Sequence, residues 1–307
     1  MTIEMRKQYA NTILELFAKD DNVYALEADL SGAMATSGLK DVLKSNYINC
    51  GIMEASMVSI AAGINLAGGI PFVHSFGQFI TRRAFDQVFV SLAYAKLHCI
   101  LIGSDAGITA EHNGGTHMTF EDTGLMRTVP DAYIYDVCDP VQLKYILEKA
   151  YKTKGVHYIR TARKSFPKVY EENETFEKAK VLKTGNDITI CANGICVSTV
   201  LNAAKQLEKE GINAEVIDMF ALQPFDKETL INSVKKTNLV MSVENHNINN
   251  ALGSAIAETL CENYPAKLIR LGIKNRFGQV GVVNYLAKDY GIDEESIIKE
   301  VKKALNK

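Results

Sequence analysis

Apolar and polar positions along this chain follow two alternating rhythms, one with a helical period and one of short apolar runs. Residues 5–18 carry apolar side chains at helical spacing and predict an amphipathic helix. Residues 23–28 predict a short strand that ends at Asp29. Residues 57–66 predict a buried helix rich in small side chains, 71–74 a strand, and 83–96 another helix. Cys99-Ile-Leu-Ile-Gly103 is a continuous apolar run of the kind found in buried parallel strands. Residues 104–130, rich in Gly, His, Thr and Asp, show no period, and a long irregular stretch inside a compact domain is usually functional. A strand at 132–135, a helix opened by Asp139-Pro140 and a strand at 156–160 close the first unit. Proline at the first helical position behind an acidic cap suits that helix start.

Between about 164 and 182 the pattern breaks into a charged stretch with a proline and no apolar period, which reads as an interdomain linker. A second alternating unit follows: strand 188–192, helix 197–210, strand 214–218, helix 227–236, strand 239–244, helix 250–262, strand 267–271 and a terminal helix at 293–305. Strands alternating with helices imply an α/β fold of two domains, each a mostly parallel sheet covered by helices on both faces. The boundaries expected are 1–167, a linker at 168–182, and 183–307. No low-complexity segment or short-period repeat interrupts this plan.

Composition narrows the classes of function. The net charge of −2 argues against a nucleic-acid protein. No apolar stretch approaches the ~20 residues needed to span a bilayer, so no membrane role is expected. The start, Met-Thr-Ile-Glu-Met-Arg-Lys, lacks the shape of a secretory signal. The six cysteines, at 50, 99, 138, 191, 196 and 261, form no Cys-x-x-Cys pair, so reduced thiols in a cytoplasmic protein are expected, with no zinc site. No Gly-x-Gly-x-x-Gly follows a strand, which disfavours a nicotinamide-binding enzyme.

The most informative residue is Glu54, in Gly51-Ile-Met-Glu-Ala-Ser-Met57. It is a lone carboxylate among small and apolar neighbours, followed by Phe76, Phe79 and the basic pair Arg82-Arg83. A buried acid close to aromatic rings suits a flat heteroaromatic ligand with a ring nitrogen to protonate. That combination points to thiamine diphosphate.

With Glu54 in its heptapeptide, the segment from Pro71 to Phe79, Gly114-Gly-Thr-His117 and Ser242-Val-Glu-Asn-His-Asn-Ile-Asn-Asn-Ala-Leu-Gly-Ser254, the chain resembles the C-terminal half of a transketolase carried as a separate subunit. The resemblance covers nearly the whole length and implies a pyrimidine-binding domain followed by the family's C-terminal domain. That family holds the diphosphate and its magnesium through a Gly-Asp-Gly motif in the other half, and no such string occurs here. The resemblance therefore implies a partner chain that supplies the phosphate and Mg2+ site, in an assembly of two copies of each chain.

The remaining roles follow from the resemblance. Glu54 would be the catalytic residue, a carboxyl in a dry place sharing a proton with the pyrimidine N1′. Phe79 and Phe76 would line that ring, with Asp29 and Arg82 nearby. Arg82 stands where transketolases usually have a tyrosine, and the run Arg83-Ala-Phe-Asp-Gln-Val88 looks instead like the deoxyxylulose-phosphate synthase branch. Toward the substrate the matching positions are His117, Arg163 with Arg160 as the neighbouring choice, Arg6, Ser104, Asn113 or His112, and Ser31. The planar fork of arginine suits phosphate. Glu244 and His246 read as structural, as do His74, His98 and His157. The activity implied is transfer of a two-carbon glycolaldehyde unit from a ketose, with a phosphorylated sugar favoured, to an aldose. A synthase-like or 2-oxo acid dehydrogenase β-like subunit stands as the alternative within the cofactor class, and a non-catalytic binding or regulatory subunit as the alternative outside it.

Overall fold

The computed structural model describes residues 3–307. Twelve strands form two sheets among the described residues. In chain order they are β1 Val23–Glu27, β2 Tyr47–Asn49, β3 Ile70–Phe76, β4 Cys99–Ser104, β5 Tyr133–Asp136, β6 Val156–Arg160, β7 Lys180–Lys183, β8 Ile188–Ala192, β9 Ala214–Asp218, β10 Ala221–Gln223, β11 Leu239–Asn247 and β12 Lys267–Ile273. The first sheet has the order β10-β5-β6-β4-β3-β1-β2 and the second β12-β11-β8-β9-β7. The pairings are parallel except for β10 on β5 and β7 on β9. Strands β4, β6, β8 and β9 are buried along their whole length, β4 as its continuous apolar run requires. Among the described residues, no helix is long and apolar enough to cross a membrane. The six cysteines are unpaired.

The helices cover the sheets with the faces that their apolar positions define. Helix Met5–Phe17 buries Met5, Tyr9, Ile13 and Leu16 and packs on helix Pro140–Lys152. Each such large apolar side chain contributes about 1.5–3 kcal/mol relative to exposure. Helix Pro140–Lys152 starts where Asp139 Oδ1 accepts the Gln142 amide at 2.9 Å. The other oxygen, Oδ2, accepts the amides of Val169 and Tyr170. The connection between the sheets is therefore anchored, with Tyr170 and Phe176 buried in the core.

Three features depart from the sequence reading. The helix expected at 57–66 begins at Glu54, and only one side of it is buried. Met57, Val58, Ala61 and Ala62 face inward, while Ile60 and Leu66 stand exposed. The helix expected at 83–96 is wound as a π-helix over Gln87–Tyr94, and Phe89, Val90 and Tyr94 are exposed. Strand β10 leaves the second unit to pair with β5 of the first. Phe220 stacks on Tyr135 at 6.3 Å between ring centres and meets Phe176 edge-on at 5.8 Å, and its carbonyl accepts the Asp136 amide. β2, β7 and β10 are too short to carry a readable period.

Where the two units meet, three acidic side chains are enclosed. Arg160 pairs with Asp122 at 2.8 Å and Asp136 at 3.1 Å. Burial pushes the Asp136 carboxyl up to about 6. Asp218 Oδ2 accepts from Tyr170 Oη and Gln142 Nε2, while Oδ1 has no partner. Burial pushes Asp218 up to about 7.

The folded state therefore keeps a proton on Asp218 that the unfolded chain releases near pH 4. The stability associated with this group should be present below pH 4 and fall as pH rises toward 7, by about 3 kcal/mol over that window. Urea unfolding between pH 5 and 8 should show this decline in the wild type and a shallower one in Asp218→Asn, whose amide keeps the acceptor but cannot ionise. Equal slopes would rule out the assignment.

Candidate active site

The carboxyl ends of β1, β3 and β4 lie side by side at one edge of the first sheet, where open α/β sheets bind ligands. The chain leaves these strands in sparsely populated backbone conformations: Asp29 at φ +61°, Asp105 at +53° and Glu111 at +46°. Such conformations cluster at ligand clamps and active sites.

Glu54 opens its helix beside this edge, after Gly51 turns the chain at φ +72°. A carboxylate is favoured at a helix N-terminus. The residue is 1% exposed. Ser75 Oγ donates to its Oε1 at 2.9 Å, and Arg83 Nη1 donates to its Oε2 at 2.7 Å. Both carboxylate oxygens are thus held, one by a buried hydroxyl and one by a side chain that is 43% exposed.

Three rings stand beside this pair. Phe76 ends β3 and Phe79 lies in the turn that follows it, 6.2 Å apart between centres. His117 meets both edge-on, at 5.9 and 5.3 Å. Thr116 Oγ1 lies 2.8 Å from His117 Nδ1. Arg83 Cζ sits 3.8 Å from the centre of the Phe79 ring, and Arg163 Cζ 5.4 Å from that of Phe76. Arg163 also pairs with Asp105 at 2.5 Å. Burial pushes the Asp105 carboxyl up, and the Arg163 charge opposes that. Glu54, Phe76, Phe79, His117 and Arg163 therefore form one contiguous group.

Beneath it runs a sealed chain of hydrogen bonds. Thr36 Oγ1 donates to Glu27 Oε1 at 2.5 Å, Glu27 Oε2 lies 2.7 Å from His74 Nδ1, and His74 Nε2 lies 2.8 Å from Ser104 Oγ. All four residues are buried. Ser104, expected to reach substrate, is instead turned inward to His74 and is fully buried, so it cannot offer its hydroxyl to a ligand.

The other sequence candidates separate. Arg160 does not face the site. It is 2% exposed, and besides its two carboxylate partners it donates to the Asn245 carbonyl at 2.7 Å. Arg82 is exposed and pairs with Glu121, away from Glu54. The adjacent Arg83, which the sequence reading assigned no role, holds the carboxylate. Asp29 is exposed at the end of β1, its amide donating to Asn49 Oδ1. Arg6 pairs with Glu4 and donates to the Ala33 carbonyl at 3.2 Å, beside the half-buried Ser31. His112 and Asn113 are exposed at the end of the 3-10 segment Gly107–Asn113.

That segment is fixed from behind by the second unit. Asn245 Oδ1 accepts the Ile108 amide at 3.0 Å, and its Nδ2 donates to the Ala106 carbonyl at 3.1 Å. Gly107 between them has φ +59°, and a Cβ there would come within 2.2 Å of Asn245 Oδ1. Glu244 accepts the Leu252 and Gly253 amides, and His246 accepts the Gly124 amide, so both act structurally. A separate groove of about 1050 Å³ lies between helix Met5–Phe17, helix Pro140–Lys152 and the connection, and none of the candidate residues lines it.

The chain matches the family described as Transketolase, pyrimidine binding domain, over residues 1–168, and Transketolase, C-terminal domain, over 177–297. It is 41% identical over 297 residues to 6-deoxy-6-sulfo-D-fructose transketolase subunit SqwH of Clostridium sp. (strain MSTE9), covering 96% of this chain and 92% of that one. It is 31% identical over 311 residues to the transketolase of Homo sapiens, covering 99% of this chain and 49% of that protein. A solved structure described as split gene transketolase, inactive beta4 tetramer, superposes with a TM-score of 0.91 at 35% identity, covering 100% of this chain and 99% of that chain.

Asn245→Ala should strand the Ile108 amide and Ala106 carbonyl and cost about 2–4 kcal/mol. Hydrogen exchange should then speed up across 106–118 more than in β1. A uniform change across both would mean that Asn245 does not position this loop.

Proposed function

The chain belongs to the transketolase family, and we propose that it is the pyrimidine-binding half of a two-chain transketolase. Members of this family depend on thiamine diphosphate. The observation that carries the reading is the enclosed Glu54 carboxylate beside the Phe76, Phe79 and His117 rings. This set fits the aminopyrimidine end of the cofactor: an acidic hydrogen-bonding group in a dry place, next to flat apolar surface. When bound, the cofactor supplies the carbon nucleophile and electron sink for breaking and rejoining a carbon–carbon bond.

The residues of this chain have distinct tasks. Glu54 holds a proton at the ring nitrogen, and Ser75 fixes the carboxyl by donating to one oxygen. Phe79 and Phe76 exclude water and orient the ring, each aromatic contact contributing about 1 kcal/mol beyond burial. Arg163 and His117 face an anionic end of the sugar, with Asp105 steering Arg163. The partner, an N-terminal-half subunit, holds the diphosphate and Mg2+.

Exposed apolar side chains run from the Glu54 turn along two neighbouring helices: Ile52, Met53, Ile60, Phe89, Val90 and Tyr94. Because this band is continuous with the site, that same subunit is its occupant, in an assembly of two copies of each chain in the cytoplasm. The transferred group is a two-carbon glycolaldehyde unit, taken from a ketose with a phosphate terminus. A ketose with a sulfonate terminus is the second reading, favoured by the 41% identical relative named for a sulfo-sugar. Either group offers a guanidinium several oxygens to bind.

Reconstitution with an N-terminal-half subunit, thiamine diphosphate and Mg2+ should give turnover with xylulose 5-phosphate or 6-deoxy-6-sulfofructose and none with pyruvate as donor. Glu54→Gln should lower kcat by about 10²–10⁴-fold while sedimentation shows the assembly unchanged. Near-normal turnover in that variant would remove Glu54 from its role, and pyruvate activity would remove the transketolase reading.

A further inference from the structure

One guanidinium covers both groups on which an aminopyrimidine ring would rest. Arg83 Nη1 donates to Glu54 Oε2 at 2.7 Å, and Arg83 Cζ lies 3.8 Å from the centre of the Phe79 ring. The planar guanidinium therefore stacks on the aromatic face while bonding the carboxylate, which is what a flat ring with a nitrogen at its edge would do in the same place. The other carboxylate oxygen is already taken by Ser75.

The place itself makes joint occupancy unworkable: a guanidinium 3.8 Å from the Phe79 ring centre occupies the position that a flat ligand resting on that face would take. A carboxylate bonded to arginine has only acceptor sites left, and a neutral ring nitrogen is also an acceptor. The two meet only through a shared proton, for which the carboxylate keeps free lone pairs, and only once the guanidinium has left the place of the ring. Of the groups involved, Arg83 is the one free to move. Glu54 and Ser75 are buried, whereas the Arg83 side chain is 43% exposed at the rim. Its neighbour Arg82, from the same turn, already reaches outward to Glu121.

We propose that Arg83 is a placeholder in the cofactor seat, keeping the Glu54 carboxylate and the Phe79 ring covered until its side chain swings outward to admit thiamine diphosphate. The inference rests on the reading of this chain as the pyrimidine-binding half. Arg83 then determines cofactor affinity: each binding event has to break an ion pair and a cation–π contact that the free chain already makes.

The test is calorimetric titration of thiamine diphosphate, with Mg2+ present, into the reconstituted complex of this chain with its N-terminal-half subunit. Arg83→Ala should bind the cofactor about five- to tenfold more tightly than wild type, given the modest strength of a half-exposed ion pair and a cation–π contact. Arg83→Lys, which keeps the charge but not the flat fork, should fall between them. A dissociation constant for Arg83→Ala equal to or weaker than the wild-type value overturns the placeholder role and leaves the parent reading intact. A wild-type complex that takes up no cofactor overturns both.

Discussion

The Arg160 guanidinium is the constraint on which the rest of the molecule depends. It sits at the end of β6 and joins Asp136 of β5, Asp122 of the irregular stretch, and the Asn245 carbonyl of β11. A single buried cation thereby ties the first sheet, the loop that carries His117 and the second unit into one body. Burial alone would raise both acids. The Arg160 charge holds Asp122 below the ordinary carboxylate range, while Asp136 is pushed up to about 6. With one acid ionised and its neighbour retaining a proton over part of the pH range, the interior avoids an unpaired charge.

The candidate site is organised by the same economy of charge. Arg163 pairs with Asp105, Arg83 with Glu54, and His74 bridges Glu27 and Ser104. The Ser104–His74–Glu27 arrangement has the hydrogen-bond order of a nucleophilic triad, but its hydroxyl is sealed from solvent. Its effect is on shape: it locks the ends of β1, β3 and β4 together under the rings. The reactive edge is left to side chains that reach over the rim.

How far the sequence could be read depends on whether a signal was local. The run that became β4 was legible because a strand buried on both faces needs uninterrupted apolar side chains. Asp139-Pro140 was legible because a cap and its helix are neighbours in the chain. The isolation of Glu54 among small apolar residues announced its burial. Arg160 was not legible: a charged residue closing a strand looks like a site residue until Asp122 and Asp136 are folded against it. Arg82 and Arg83 are adjacent and chemically identical, and the turn after Phe79 alone decides which one points inward. Ser104 sits in line with residues at a site edge, yet its rotamer is set by His74 from the neighbouring strand. β10 stayed hidden because three residues give no period and the pull comes from Tyr135 and Phe176, far away in sequence.

Strand β10 also sets where the polypeptide can be divided. The first unit reads as a self-sufficient domain, but its sheet is finished by residues 221–223, which arrive only after β7, β8 and β9 of the next unit. A fragment cut at the connection would leave β5 with a bare edge of backbone donors and acceptors, its Tyr135 side chain stripped of its Phe220 cover. Naked edges of that kind recruit other strands and invite clumping. The two units are thus obliged to mature together, and exchanging one of them between related proteins would require carrying this short clasp along with the acceptor sheet.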